Sequence, residues 1–374
     1  MPGLLPDIDP DGLLEYSVVF TDRSLNHMSQ QFQQVMRDIS STLKQVYHAD
    51  AVTVIPGGGT YAMEAVARQF AHQKRCLVIR NGWFSFRWSQ IFEMGNIPKQ
   101  CDVLTAQQAS TDRLSPFSPP PIEEVVETIR TQKPDLVFAP HVETASGIIL
   151  PDDYLKAIGQ AVHDVGGLFV LDCIASGAIW VDMQQCNIDI LISAPQKGWS
   201  ASPCCGLVMM GENALARMEK TESSSFACDL KKWHQIMQAY ENGGHAYHAT
   251  LPTDALKRFR DIMEETVALG LDNLKSQQQA LGDQVRELFA RNGFQSVAAQ
   301  GFGAPGVAVF FAKDAVMQSG KPFIEQGLQV AAGVPLKCDE PEDFKTVRVG
   351  LFGIEKLQNI ERTIQSLELA LEKL

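Results

Sequence analysis

The sequence lacks several things, and each absence removes a class of function. None of its apolar runs approaches the roughly 20 residues that a helix needs to span a bilayer, so no membrane role is expected. Its 8 cysteines fall into no C-x-x-C pair and no His/Cys ligand spacing, so no metal centre is expected. Cys204 and Cys205 are adjacent and cannot easily bond to each other, which leaves free thiols in a reducing compartment as the expectation. Positive charge is in deficit: 32 Lys and Arg face 44 Asp and Glu, a net charge of -12. Contact with a nucleic-acid backbone depends on clustered cations, so nucleic acid is excluded as a partner. Residues 1–7 carry neither a basic start nor an apolar signal core, and the chain is expected to be soluble and cytoplasmic. There is no internal repeat.

What is present is material for a large core. Hydrophobic residues make up 45% of 374, a length that suggests two or three domain-sized units. Pro2, Pro6 and Pro10 break any helix near the start, and residues 1–27 read as an irregular N-terminal segment. Met28, Phe32, Val35, Ile39, Leu43 and Val46 then recur at helical spacing and predict a helix with one buried face. Short apolar strands are predicted at 51–55, 76–80, 135–139, 168–172, 188–192 and 206–210, with helices between most of them, including 122–132 and 152–165. Strand alternating with helix argues for a mostly parallel sheet covered on both faces. From about Pro252 the pattern changes. A long helical region with candidate breaks at Gly270 and Gly282 runs to Arg291. Short strands follow near 305–311 and 346–350, and a last helix is predicted over 354–374. The expected architecture is α/β, with a large domain over 28–252 and a smaller C-terminal α+β domain over 253–374.

Two polar residues stand at predicted strand ends. Asp172 closes the strand 168–172, and Lys197 follows the strand 188–192 within Ser193-Ala194-Pro195-Gln196-Lys197-Gly198-Trp199-Ser200. Ligands of open α/β sheets bind beyond the carboxyl ends of the strands, so the two can face one pocket. An enzyme that carries pyridoxal phosphate needs such a pair: an amine to form a Schiff base, and a carboxylate to keep the pyridine nitrogen protonated. A single Lys is more often solvated and a single Asp more often caps a turn, so the companions decide. Pro56-Gly57-Gly58-Gly59-Thr60 follows a strand and opens a helix. It is a candidate phosphate site, because glycines admit close approach and a helix start offers free N–H groups. Its spacing is neither a Walker loop nor a Rossmann fingerprint, and alone such a turn is more often just a turn. Phe84 begins the helix after the strand 76–80, where it can cover a cofactor ring. His141-Val142-Glu143-Thr144-Ala145-Ser146 is a polar cluster directly after the strand 135–139.

With these residues in order, the chain resembles the class V pyridoxal-phosphate aminotransferases, most of all the alanine–glyoxylate and serine–pyruvate branch, from about residue 27 to the end. The resemblance implies a fold type I homodimer with active sites shared across the interface, and pyridoxal 5′-phosphate as cofactor. It matches Gly58, Gly59 and Thr60 to the phosphate-binding turn, and Phe84 to the aromatic that stacks on the cofactor ring. Thr144 matches a hydroxyl residue beside the cofactor, Asp172 the pyridinium partner, and Ile174 the apolar residue under the ring. Gln196 and Lys197 match a phosphate contact and the Schiff-base amine. Tyr247 and Thr250, in Tyr247-His248-Ala249-Thr250-Leu251-Pro252, match residues that reach the phosphate of the neighbouring subunit's cofactor. Arg348, in Val347-Arg348-Val349-Gly350-Leu351, matches the residue that grips the substrate carboxylate. The implied reaction moves an amino group from an alanine- or serine-like amino acid, or a related amine, to a 2-oxo acid such as glyoxylate or pyruvate.

Two segments depart from the family's pattern. Where it opens with Pro-Gly-Pro, this chain has Leu14-Glu15-Tyr16-Ser17-Val18-Val19-Phe20, and where it often has His-Arg-Ser, this chain has His27-Met28-Ser29. In the family that segment helps line the substrate pocket, so the substrate side chain stays open. The competing reading is a lyase on the same scaffold, cysteine desulfurase-like or β-eliminating, because Cys338 lies ten positions before Arg348. Its surroundings, Pro335-Leu336-Lys337-Cys338-Asp339, do not resemble a desulfurase's, and a surface thiol is expected there.

Overall fold

The computed structural model describes residues 13–374. Residues 1–12 of the expected irregular segment lie outside the described residues, and 13–29 form no helix or strand. Helix α1 (Gln30–Tyr47) starts where the Ser29 side chain accepts from Phe32 N, which satisfies one orphan donor of the first turn. Its face of Phe32, Val35, Ile39 and Leu43 is buried. Met28 precedes the cap and stays exposed.

Seven strands form the main sheet: β1 (Ala51–Pro56), β2 (Arg75–Arg80), β3 (Gln100–Thr105), β4 (Leu136–Pro140), β5 (Leu168–Asp172), β6 (Ile190–Ser193) and β7 (Cys205–Met210). Their order is β1-β7-β6-β5-β4-β2-β3. Only β7 runs against its neighbours; every other pair is parallel. The intervening helices are α2 (Gly59–Phe70), α3 (Trp83–Gly95), α4 (Ile122–Gln132) and α5 (Asp152–Asp164). Central strands such as β4 and β5 are buried along their whole length, as a parallel sheet packed on both faces requires. The architecture is α/β of fold type I, as expected.

Register decides where the site lies. Asp172 pairs with Ile192 on one side and Pro140 on the other, so the ends of β4, β5 and β6 are level. The segments that leave these three ends share one rim with those that leave β1 and β2.

Helices α6 (Glu212–Met218), α7 (Leu230–Glu241), α8 (Thr253–Ala268) and α9 (Leu271–Arg291) follow. Leu256, Phe259 and Met263 of α8 belong to the first core, together with Phe32 and Ile39 of α1. A second core joins Leu274, Leu281, Val285, Phe289, Phe310 and Val347, with Ala178 of the large domain against it. We propose to place the domain boundary at Gly270, whose φ of 86° ends α8, because the first core continues through α8. Gly282 is not a break. It lies inside α9, where a Cβ would meet Pro305 Cα at 2.6 Å, so the glycine permits close approach of helix and loop.

The small sheet has β8 (Val307–Phe311), β9 (Ala331–Ala332) and β10 (Thr346–Gly350) in the order β8-β10-β9, all antiparallel. The expected last helix is two, α10 (Ile354–Gln358) and α11 (Ile360–Leu371), separated by Asn359 at φ -132°, ψ 56°. A third apolar cluster joins Val142, Ala145 and Ile148 to Val297, Val307 and Leu336, and so fixes the small sheet over the rim of the large one. Among the described residues no helix is long and apolar enough to cross a membrane, and no cluster of metal-ligating side chains occurs.

Candidate active site

A cavity of about 430 Å³ opens where the rim of the main sheet meets the small sheet. Gly59, Thr60, Phe84, Thr144, Asp172, Ile174, Gln196, Lys197 and Arg348 all line it. These residues come from six separate stretches of chain. Three other candidates lie off its wall. Gly58 is the N-cap of α2, behind the lining Gly59. Tyr247 and Thr250 are exposed and hydrogen-bond each other, Oη to Oγ1 at 3.1 Å.

Asp172 ends β5 and is buried. Its Oδ1 accepts from Ile174 N at 2.9 Å. Burial pushes its carboxyl up to about 7; the Ile174 N–H pulls it down, Glu143 adds to the rise, and Arg87 opposes it. Behind it, His141 N donates to the Asp172 carbonyl at 2.9 Å, and His141 Nδ1 lies 2.7 Å from Ser176 Oγ. Burial pushes that imidazole down to about 3, so it is neutral at physiological pH.

Lys197 sits in the turn after β6. Its carbonyl accepts from Ser200 N at 3.1 Å, and Ser200 takes a left-handed φ of 57°. Ser200 Oγ accepts from Ile354 N at 2.9 Å, which ties the lysine turn to the start of α10. A Cβ on Gly198 would collide with the Gly177 carbonyl, so only glycine fits after the lysine. Lys197 Nζ stands 4.8 Å from the Phe352 ring centroid. Burial lowers the pKa of this amine, and the Arg348 charge lowers it further.

Arg348 lies on β10 between Val347 and Val349, which are buried; its own side chain reaches the cavity. Its Nε donates to the Ala332 carbonyl at 2.8 Å, and its Cζ lies 5.6 Å from the Phe84 ring centroid. Burial lowers its pKa and the Glu143 charge raises it.

The structure gives Glu143 of the polar cluster a role and adds residues that pattern reading did not single out. Glu143 is fully buried and accepts from Phe84 N (3.2 Å), Ser85 N (2.9 Å), Ser85 Oγ (2.7 Å) and Ala145 N (2.9 Å). It caps α3 from another strand end and so holds Phe84 in place. Gly82 makes room for it, since a Cβ there would meet Glu143 Cγ at 2.7 Å. Burial raises the pKa of Glu143, against the pull of these donors. Arg87 and Phe352 also line the cavity. The only sequence signal for Arg87 is its position three residues after Phe84, on the same helix face.

One expectation is overturned. Cys338 is not a surface thiol: it is 5% exposed, with Sγ 3.3 Å from the Arg80 carbonyl, and it does not line the cavity. Burial raises its pKa, so it is held as the thiol.

The residues present fit pyridoxal phosphate. The start of α2 has a glycine N-cap with no side-chain capping bond, which leaves room for an anion at first-turn N–H groups. Gln196 lines the cavity with a side-chain amide whose N–H groups can donate to an anion. A Cβ on Gly59 would collide with Ile174 Cδ1, so glycine keeps the floor between the helix start and Ile174 open. A lysine and a buried carboxylate at adjacent strand ends, beside an aromatic and a helix start, define a pyridoxal-phosphate type of site on this fold.

The chain belongs to the class-V aminotransferase family, whose sequence profile matches residues 13–360, and it is a pyridoxal-phosphate-dependent aminotransferase. It is 26% identical over 269 residues to alanine–glyoxylate aminotransferase 1 of Saccharomyces cerevisiae, a match covering 66% of each chain. It is 23% identical over 356 residues to a protein named soluble hydrogenase, small subunit, of Synechococcus sp., covering 94% of this chain and 88% of that one. The solved structure of alanine–glyoxylate aminotransferase from Nostoc sp. superposes with a TM-score of 0.77 at 21% identity, covering 92% of this chain and 88% of that one, and shows the shared fold.

Proposed function

We propose that this aminotransferase takes the amino group of a small α-amino acid, alanine- or serine-like, and gives it to a 2-oxo acid such as glyoxylate or pyruvate. We further propose that it works as a cytoplasmic homodimer with shared active sites. The observation that carries the reading is that Lys197, Asp172 and Arg348 line one cavity, each on a different strand end or strand. The similarity to an alanine–glyoxylate aminotransferase supports the substrate pair.

Bound pyridoxal phosphate supplies the aldehyde that takes up the amino group and the ring that withdraws electrons from the bond being broken. The chain's own residues do the rest. Lys197 Nζ would hold the cofactor. The same amine would take the proton from the substrate Cα and carry it for return, as a positioned base and acid. A lowered pKa suits that work, because more of the amine is neutral near pH 7. Asp172 would keep a proton at the pyridine nitrogen, Phe84, Ile174 and Thr144 would hold the ring, and Gly59, Thr60 and Gln196 would hold the phosphate. Gly58 shapes that turn as its N-cap. Arg348 grips the substrate carboxylate with its planar fork and so orients Cα.

The shared-site reading draws on Tyr247 and Thr250. Their mutual hydrogen bond and exposure leave them free to meet the cofactor phosphate of a second subunit. Tyr61 and Phe226 are also exposed aromatics, 56% and 76%, which a partner surface would cover. A desulfurase needs a mobile thiolate, and the buried Cys338 thiol disfavours that alternative.

The test is a single-turnover screen of amino acids, ω-amines and aminophosphonates, which follows loss of the cofactor's visible band and formation of pyridoxamine phosphate. Small α-amino acids should react fastest. Truncating one partner of a buried charge pair costs about 2–5 kcal/mol, so Arg348→Ala should lower kcat/KM roughly tens to thousands of times while cofactor stays bound. If only amines without a neighbouring anion react and Arg348→Ala is silent, the α-amino-acid reading fails. Release of ammonia or sulfide without pyridoxamine phosphate would replace it with the lyase.

A further inference from the structure

We propose that Arg87 is the cationic anchor of the cofactor phosphate, completing a site whose neutral half is the Gly59–Thr60 helix start. The proposal rests on the pyridoxal-phosphate reading and adds a residue to it. Two guanidinium groups line the cavity, Arg87 and Arg348, and neither forms an ion pair with a carboxylate among the described residues. Unpaired guanidinium forks facing one cavity are suited to anions that arrive with ligands.

Position separates their roles. Both meet the Phe84 ring, but Arg348 is held by the Ala332 carbonyl of the small sheet, whereas Arg87 reaches the start of α2. Its Nη1 donates to Thr60 Oγ1 at 3.0 Å, and Thr60 is the second residue of α2. A guanidinium carries five N–H donors, so most of the fork remains available beside that hydroxyl. The side chain is held from a second direction by the Phe84 ring, whose centroid lies 5.2 Å from Arg87 Cζ.

Charge makes the same point. A phosphate monoester carries about -1.5 to -2 near pH 7. The N-terminal backbone of α2, the Thr60 hydroxyl and the Gln196 amide are all formally neutral. Asp172, the carboxylate whose proton affinity Arg87 influences, has the wrong sign for a phosphate. Arg87 brings a full positive charge to the start of α2.

The experiment separates the phosphate from the rest of the cofactor. Cofactor-free protein is titrated with pyridoxal 5′-phosphate and, separately, with pyridoxal, which lacks the phosphate. In Arg87→Gln the preference for the phosphorylated ligand should fall roughly tenfold to a hundredfold, the range of a charge-assisted hydrogen bond. Affinity for pyridoxal should hold, and Arg87→Lys should recover part of the loss. The phosphorus resonance of bound cofactor gives a second readout: the phosphate should take up a proton at higher pH in Arg87→Gln than in the wild type. Equal losses for both ligands would make Arg87 a support for Phe84 and overturn the proposal. An unchanged preference with a raised KM for the 2-oxo acid would do the same, by giving Arg87 to the substrate. If the wild-type protein binds neither ligand at Lys197, the cofactor reading itself fails, which is a different result from a preference that does not change.

Discussion

The buried carboxyl of Asp172 should destabilise the cofactor-free protein, and neutralising it should relieve that. The perturbation is Asp172→Asn. An amide oxygen can still accept from Ile174 N, as Oδ1 does now at 2.9 Å, so the local fold is kept. The magnitude follows from the shifted proton affinity. The carboxyl sits at about 7 in the fold, against an ordinary value of 3.8. The folded state therefore binds this proton more tightly than the unfolded state. The contribution is stabilising and complete below about pH 4, and it is lost as pH rises to about 7. About three units at 1.36 kcal/mol each give up to about 4 kcal/mol by pH 8. Asparagine stays neutral throughout, so the variant should gain on wild type as pH rises. With an unfolding entropy of about 2.1 cal/mol/K per residue, a chain of 374 residues turns that into a Tm rise of roughly 5 °C at pH 8. The gain should shrink as pH falls toward 4. Adding pyridoxal phosphate should reverse the order, since the carboxylate then has a pyridine proton to hold and the amide does not. Melting curves of both proteins with and without cofactor, at pH 5 and pH 8, give all four comparisons. An identical Tm at pH 8 without cofactor, or a gain that does not change with pH, would show that Asp172 is hydrated in the free protein and refute the argument.

Two further predictions concern the cofactor and the dimer. Borohydride reduction of the yellow protein should fix the label on Lys197 alone, read by peptide mapping; a label on any other lysine ends that assignment. Subunit exchange between inactive Lys197→Ala and an inactive Tyr247/Thr250 double mutant should restore activity in mixed dimers. No recovery would place Tyr247 and Thr250 in the same subunit's site, or outside it.

Much of the chain's local order was legible because it follows from neighbours in sequence. The helix expected over 122–132 is Ile122–Gln132, and the strand ending at Asp172 is Leu168–Asp172. Apolar periodicity and an all-apolar strand are local signals, and they survive packing because packing is what they encode. Local signals also misled. Gly282 looks like a helix break from its neighbours, yet α9 passes through it because Pro305 needs the space a side chain would fill. Cys338 lies in a polar-looking run, yet its side chain turns inward to the Arg80 carbonyl.

By itself the sequence determined the alternation of strand and helix, and it marked Asp172 and Lys197 by where the strands stop. Those are properties of short stretches, where side-chain period and backbone propensity act within a few residues. Only the tertiary structure decided what surrounds them. Glu143 reaches Phe84 N across 59 positions, and Ser200 reaches Ile354 N across 154. Arg87 faces Thr60 from another helix, and Phe352 comes to Lys197 from beyond the small sheet. Sheet order and register make these meetings, and they in turn set the burial that moves the protons of Asp172, Glu143 and Lys197. Burial depends on what the rest of the chain packs against a group, so no window of sequence around that group contains it.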